Sequence, residues 1–244
     1  MATSFAWPDG RRCALSFSFD DARPSQIARG VPLFDRFGVR ASFFVLMRAV
    51  RTAPDLWRAA LRSGHEFGNH TSSHPCSGNF SFVRDHALED LTLDAIERDI
   101  LEANAQLTEF IGSAPTSFAY CCGHKFVGRG IGTRSYVPLV ARHFLVGRGF
   151  RDEYPNDPTF VDLAQVAGVD ADGASSSDLI RLIDQAAAAG SWLVLVGHEV
   201  ADAGAQTVIA AELERLLVHL RSRPEVWVDT VGAIGGHVAS VRAR

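Results

Sequence analysis

Three places in this 244-residue chain gather side chains that could do chemistry together. The first is Asp20-Asp21, which ends the run Cys13-Ala-Leu-Ser-Phe-Ser-Phe. Adjacent carboxylates repel, so both stay charged only where a metal, a cation or hydrogen-bond donors share the field. A single Asp after a strand would more simply open a turn or cap a helix. The second place is Asn69-His70-Thr-Ser-Ser-His74. Histidines four apart in a helical turn project from one face and can share a divalent ion. The third is His198, directly after the apolar run Trp192-Leu-Val-Leu-Val-Gly197. An acid pair, a His pair and a single His, each at the end of a predicted strand, favour one shared metal-containing site over three unrelated structural roles.

These residues need strands to carry them. Cys13–Asp20 alternates polar and apolar residues and reads as a strand, as do 40–46, 64–68, 117–120, 143–146, 192–197 and 226–229. Between them lie helical patterns, clearest over 87–111, where Ile96, Ile100, Leu107 and Ile111 share a face and Gly112 stops the run. The stretch 147–162, rich in Gly, Pro and Asn, reads as a long loop. Strands alternating with helices describe one parallel α/β domain over residues 1–244, a closed or nearly closed barrel. A glycine-rich dinucleotide fingerprint is missing after the first strand, which argues against an open Rossmann sheet.

Composition narrows the function classes. The chain is 47% hydrophobic with a net charge of -4, so it can bury a sizeable core and has no electrostatic reason to bind nucleic acid. Its apolar runs have strand length, short of a membrane helix. The stretch Met1–Arg12 lacks the charged and apolar regions of a signal peptide, so a cytoplasmic enzyme is expected. Cys13, Cys76, Cys121 and Cys122 form no C-x-x-C or zinc-finger spacing. Cys13 is expected to pack as a small apolar residue, and Cys121-Cys122 to remain reduced thiols in a loop. Phe80, Phe82 and Phe126 could floor a sugar site, with core packing the stronger expectation for each. The oligomeric state stays open.

Taken together, the motifs resemble the polysaccharide deacetylase family, the NodB-homology carbohydrate esterases. Ser18-Phe19-Asp20-Asp21 is similar to its first motif, His70-Thr-Ser-Ser-His74 to its second and Leu195-Val-Gly-His198 to its last. The resemblance implies a distorted (β/α)₇ barrel and metal-dependent hydrolysis of an N-acetyl group. It implies Asp21, His70 and His74 as metal ligands, with zinc the first choice and cobalt, nickel or manganese as alternatives. It makes Asp20 the general base for a metal-bound water and His198 the general acid. The substrate implied is a small or oligosaccharide N-acetyl compound, with neither nucleic acid nor membrane as partner.

The third motif departs from the family. Where Arg-Pro-Pro-Tyr-Gly is usual, with an Arg that orients the catalytic Asp, this chain has Ala119-Tyr-Cys-Cys-Gly123. That resembles the Phe-Ala-Tyr-Pro-Tyr-Gly form of poly-N-acetylglucosamine deacetylases. Arg148 could supply the cation from another direction, and Tyr120 could contact the acetyl oxygen. Asp152, Asn156, Asp157 and Asp162 receive no role. Two other readings follow from the departure: allantoinase-like hydrolysis of another C–N bond, and a catalytically weak member that only binds carbohydrate.

Overall fold

The structure, a computed structural model, describes residues 5–83 and 87–243; Met1–Ser4 of the N-terminal stretch read above lie outside them. Its strands begin with β1 (Cys13–Asp20), β2 (Ser42–Val45), β3 (Glu66–Asn69), β4 (Ser117–Ala119), β5 (Phe126–Val127) and β6 (Arg134–Ser135). They continue with β7 (Val146–Arg148), β8 (Val169–Asp170), β9 (Trp192–Gly197), β10 (Glu199–Ala201), β11 (Thr207–Ile209) and β12 (Val226–Val228). The helices are α1 (Val31–Phe37), α2 (Met47–Val50), α3 (Pro54–Arg62), α4 (Leu93–Ile111), α5 (Val137–His143), α6 (Ser176–Ala189), α7 (Ala210–Leu220) and α8 (Val231–Arg242).

The alternation in β1 now has a spatial meaning. Leu15, Phe17 and Phe19 belong to the core that β1 shares with the helices, while Ser16, Ser18 and Asp20 occupy the opposite face, inside the curl of the sheet. Phe17 and Phe19 pack on Phe34 of α1 with ring centroids 5.2 and 5.7 Å apart. Burying each ring contributes roughly 1.5–3 kcal/mol, enough to fix which face Asp20 takes. All eight residues of β1 are buried because it has parallel neighbours on both edges. One edge pairs with β9; along the other, β12 lies beside Cys13–Leu15 and β2 beside Ser18–Asp20.

The sheet runs β7-β4-β3-β2-β1-β9-β8, all parallel, and curls into a partial barrel of the (β/α)₇ type with helices around it. Its two edges meet through an Arg148–Val166 bridge and hydrogen bonds from Gly149 N to Val166 O (2.7 Å) and Asp152 N to Gly168 O (3.0 Å). Gly168 makes that approach possible. A Cβ there would stand 2.4 Å from the Gly149 oxygen and 2.8 Å from Cδ of Arg148.

Several expected elements shift. The fifth strand is Val146–Arg148 rather than 143–146, so Arg148 closes a strand instead of opening a loop. Val169–Asp170 adds a strand that two residues are too few to reveal by periodicity. The helix read over 87–111 begins at Leu93, because the Thr92 side chain accepts the Ala95 N–H and caps it there.

The cysteine expectation is also corrected. Cys76 and Cys122, 46 residues apart, form a disulfide, whereas Cys13 and Cys121 are free and buried. Spacing rules could not show this pair, since only the fold brings the β3 and β4 loops together. Closing a loop of that size constrains the unfolded chain. Replacing both cysteines with serine should therefore lower unfolding free energy by about 2–4 kcal/mol, measured by denaturant titration under non-reducing conditions.

Candidate active site

Every candidate residue sits at the C-terminal end of a sheet strand, where loops of different strands meet. They line or adjoin a cavity of about 460 Å³ that holds Asp20, Asp21, His70, His74 and His198.

Asp20 ends β1 and is 3% exposed. Its Oδ1 accepts a hydrogen bond from Nη2 of Arg148, itself fully buried. Arg148 is held by a second bond from Nη1 to the Gly149 carbonyl (2.8 Å) and by the Phe44 ring, 4.9 Å from its guanidinium carbon. In the β4–β7 ladder Arg148 stands beside Ala119. The cation absent at Ala119 is thus provided one strand over. Gln26, also buried, clamps the ends of β1 and β9 together: its Nε2 donates to the backbone carbonyls of Asp20 (2.5 Å) and His198 (2.6 Å).

Asp21 points elsewhere because the chain turns sharply. Asp21 and Ala22 both take left-handed conformations (φ 76° and 56°), unusual for non-glycine residues and typical of backbone over-determined at functional sites. Asp21 Oδ1 lies 3.6 Å from His70 Nε2 and 3.4 Å from His74 Nε2. Its Oδ2 accepts from Nε and Nη2 of Arg23 at 3.0 and 2.9 Å.

His70 and His74 converge, though not on a helical turn as their spacing suggested. Residues 70–74 are non-helical, with Thr71 and His74 left-handed (φ 63° and 58°). Asp99 of α4 holds this loop by accepting the Ser72 and Ser73 N–H groups, and the Thr71 hydroxyl accepts from His74 N.

The two spacings from Asp21 Oδ1 to the histidine Nε2 atoms suit a divalent ion. Ligand bonds of about 2.0–2.1 Å at tetrahedral angles separate donor atoms by about 3.3–3.4 Å, close to the spacings around Asp21 Oδ1. His70 Nδ1 donates to the Ala119 carbonyl (2.9 Å), which orients the ring and leaves Nε2 to coordinate. Burial and the charge of His70 push His74 down to about 4, whereas at His70 burial is outweighed by the neighbouring Cys121, Asp20 and Asp21, which raise the ring to about 10, so an entering ion would have to displace a proton from His70. Burial would raise the Asp21 carboxyl, but His70, His74 and Arg23 outweigh it and hold the group below its ordinary value. Cysteine sulfurs come close without competing. Cys121 approaches His70 on the Nδ1 side already bonded to Ala119, and Cys76 and Cys122 are spent in the disulfide.

His198 follows β9 and is fastened by a residue that sequence reasoning missed. Asp172 accepts the His198 backbone N–H at Oδ1 (3.1 Å) and meets the ring Nδ1 at Oδ2 (2.7 Å). Burial disfavours the imidazolium, but Asp172, Asp20 and Asp21 prevail and raise the His198 pKa above its usual value. Protonated His198 therefore persists to higher pH than a free histidine. Removing the Asp172 charge removes part of that support, so Asp172→Asn should move the basic limb of the kcat–pH profile to lower pH. An unmoved limb would separate Asp172 from the acid role of His198.

Other expectations change. Tyr120 is fully buried, donates its hydroxyl to the Ala164 carbonyl (2.7 Å) and packs with Phe118 and Tyr136, so its side chain does not reach the cavity. Its backbone N–H is taken by the Arg148 carbonyl. Phe80 and Phe82 are not core residues: they stack 5.1 Å apart on the cavity wall, with Phe82 63% exposed. Phe126 is likewise 57% exposed. The acidic residues of 147–162 act structurally, Asp162 capping the turn at Leu163–Gln165 and Asp152 accepting the Gly168 N–H. Asp172 and Arg23 left little sequence signal. Asp172 follows the two-residue strand β8, and Arg23 is a lone basic residue beside an acid pair.

Comparison with known proteins agrees with this geometry. The family model described as polysaccharide deacetylase matches residues 8–126, which include the first two motifs and the Ala119–Gly123 segment. A peptidoglycan-N-acetylglucosamine deacetylase of Bacillus cereus is 33% identical over 81 residues, 33% of this chain and 37% of that protein. The chain spans at most 37% of the length of the curated relatives it matches. Among solved structures, one from Mycobacterium smegmatis described as a polysaccharide deacetylase aligns with a TM-score of 0.70 at 19% identity, covering 98% of this chain and 94% of that one. The PuuE allantoinase aligns at 0.68 and 18%, covering 96% and 92%; at such identities both show the fold alone. Its sheet, its strand-end motifs and the family match over residues 8–126 agree in likening this chain to the polysaccharide deacetylase family.

Proposed function

We propose that this chain, as one catalytic domain, is a divalent-metal-dependent hydrolase removing the acetyl group from an N-acetylated amino sugar or a related small amide. One observation carries the reading. Asp21 Oδ1 stands 3.6 Å from His70 Nε2 and 3.4 Å from His74 Nε2 in the same cavity as an Asp20 held by Arg148 and a His198 held by Asp172. The Arg148 pairing supports an active enzyme over a binding-only member, since it supplies the cation that Ala119 lacks.

Asp21, His70 and His74 would hold the ion, zinc first, with cobalt, nickel or manganese as substitutes. Such an ion supplies Lewis acidity toward an amide carbonyl and an attacking water. Asp20 takes the proton of that water, its carboxylate oriented by Arg148. His198, kept protonated by Asp172, gives a proton to the departing amine, which leaves poorly as an anion. Phe80 and Phe82 present an apolar wall to a sugar ring. The likeness to an allantoinase is one of fold, so ureides enter only as control substrates.

No described helix is long and apolar enough to cross a membrane. The disulfide favours an oxidising compartment over the cytoplasm expected from the N-terminal reading.

Metal analysis tests the ligand set. Purified protein should carry about one divalent ion per chain, and His70→Ala or His74→Ala should carry almost none. Full metal content in those variants would reject the assignment. Acetate release from N-acetyl sugars, chitooligomers and ureide amides with added zinc or cobalt then tests the activity itself.

A further inference from the structure

The cavity carries more positive charge than the proposed hydrolysis uses. Among the described residues its only lining carboxylates are Asp20 and Asp21, engaged by Arg148 and by Arg23 with the two histidines. Three arginines line the same cavity: Arg23, Arg48 and Arg151. Arg23 is accounted for, being shared between Asp21, Glu199 and Gln206.

Arg48 and Arg151 are not. Arg48, on α2, donates from Nη1 only to the Ser72 backbone carbonyl (3.1 Å), and among the described residues no carboxylate lies within ion-pair distance of it. Ser72 lies between His70 and His74, so this contact places Arg48 beside the loop that carries both histidines. Arg151 is held in a left-handed conformation (φ 62°) with its guanidinium 5.3 Å over the Phe150 ring, and among the described residues its ion pair is a long one, Nε to Asp170 Oδ2 at 3.9 Å.

An arginine beside a metal ligand repels the ion that the ligand is there to hold. That cost is removed if a third group of negative charge enters with the substrate. The two guanidinium groups are suited to such a group, because planar arginine donors match carboxylate and phosphate oxygens.

We propose that the acylated substrate carries an anionic group, a carboxylate or a phosphate, and that Arg48 and Arg151 bind it. The inference rests on the deacetylase reading for the position of the acyl group, but it is a statement about binding and can be tested by binding.

Zinc-loaded protein would be titrated with three probes: N-acetylglucosamine, N-acetylmuramic acid and N-acetylglucosamine 1-phosphate. The preference is the ratio of dissociation constants, or of KM where a probe turns over. At least one anionic probe should bind roughly tenfold tighter than the neutral sugar, the size of one charge-assisted contact. Which of the two does so separates a carboxylate from a phosphate substrate. The ratio should collapse in Arg48→Gln and in Arg151→Gln, and Arg48→Lys, which keeps the charge, should retain part of it. Equal binding of all three probes, no binding of any, or an unchanged ratio in both glutamine variants would overturn the proposal. Anion preference without acetate release from any probe would instead reject the deacetylase reading and leave this one standing. Acetate release without preference would do the reverse.

Discussion

Replacing Asp20 with asparagine is expected to lower acetate release by about 10²–10⁴-fold while leaving the metal in place, the range found when a positioned general base is removed. The expectation follows from the division of labour in the acid pair. Asp21 faces the two histidines, so metal content should depend on it, whereas Asp20 faces Arg148 from inside the barrel. The variant keeps the size of the side chain and one acceptor for Arg148, so the fold should survive. Metal content and turnover must be measured on the same preparation. Retained turnover would remove Asp20 from the role of base, and lost metal would mean that the two carboxylates act as one ligand set.

The second large effect concerns Arg148. Its guanidinium and the Asp20 carboxylate are both buried, and each charge depends on the other for compensation. Arg148→Met removes the cation and strands the carboxylate, which should cost about 3–5 kcal/mol of stability. Turnover should fall with it, because no other described residue bonds the Asp20 carboxylate. A double-mutant cycle makes this specific. Asp20→Asn combined with Arg148→Met should be less destabilised than the sum of the two singles, since the second change removes the charge that the first left unpaired. Additive losses in denaturant titrations would show that Arg148 acts through packing on Phe44 and not through Asp20.

The comparison of these two residues shows where sequence reading reaches its limit. Asp20, Asp21, His70, His74 and His198 were legible because each follows a strand whose apolar pattern is local, and local patterns survive without knowledge of neighbours. Arg148 was legible only as a loose candidate. Its role depends on β7 lying beside β4, so that it stands next to Ala119, and on a glycine at position 168 that lets the barrel edge close over it. Tyr120 reads as a site residue by position, yet the packing of Phe118 and Tyr136 draws its ring into the core. The reverse holds for Phe80 and Phe82, whose hydrophobicity suggests burial but whose loop leaves them on the cavity wall. Asp172 was missed because its partner is 26 residues away.

What the sequence by itself determined is therefore the set of strand-end groups and the α/β alternation that carries them, since periodicity and adjacent residue types are properties of short segments. Tertiary structure alone decided the partners: Arg148 for Asp20, Arg23 for the far oxygen of Asp21, Asp172 for His198, and Cys76 for Cys122. Each of those contacts but the Arg23 one joins segments far apart in the chain, and even Arg23 needs the left-handed turn at Asp21-Ala22 to reach back. Charge pairing and disulfide formation act over a few ångströms in space, and only the curled sheet determines which distant residues come within that range.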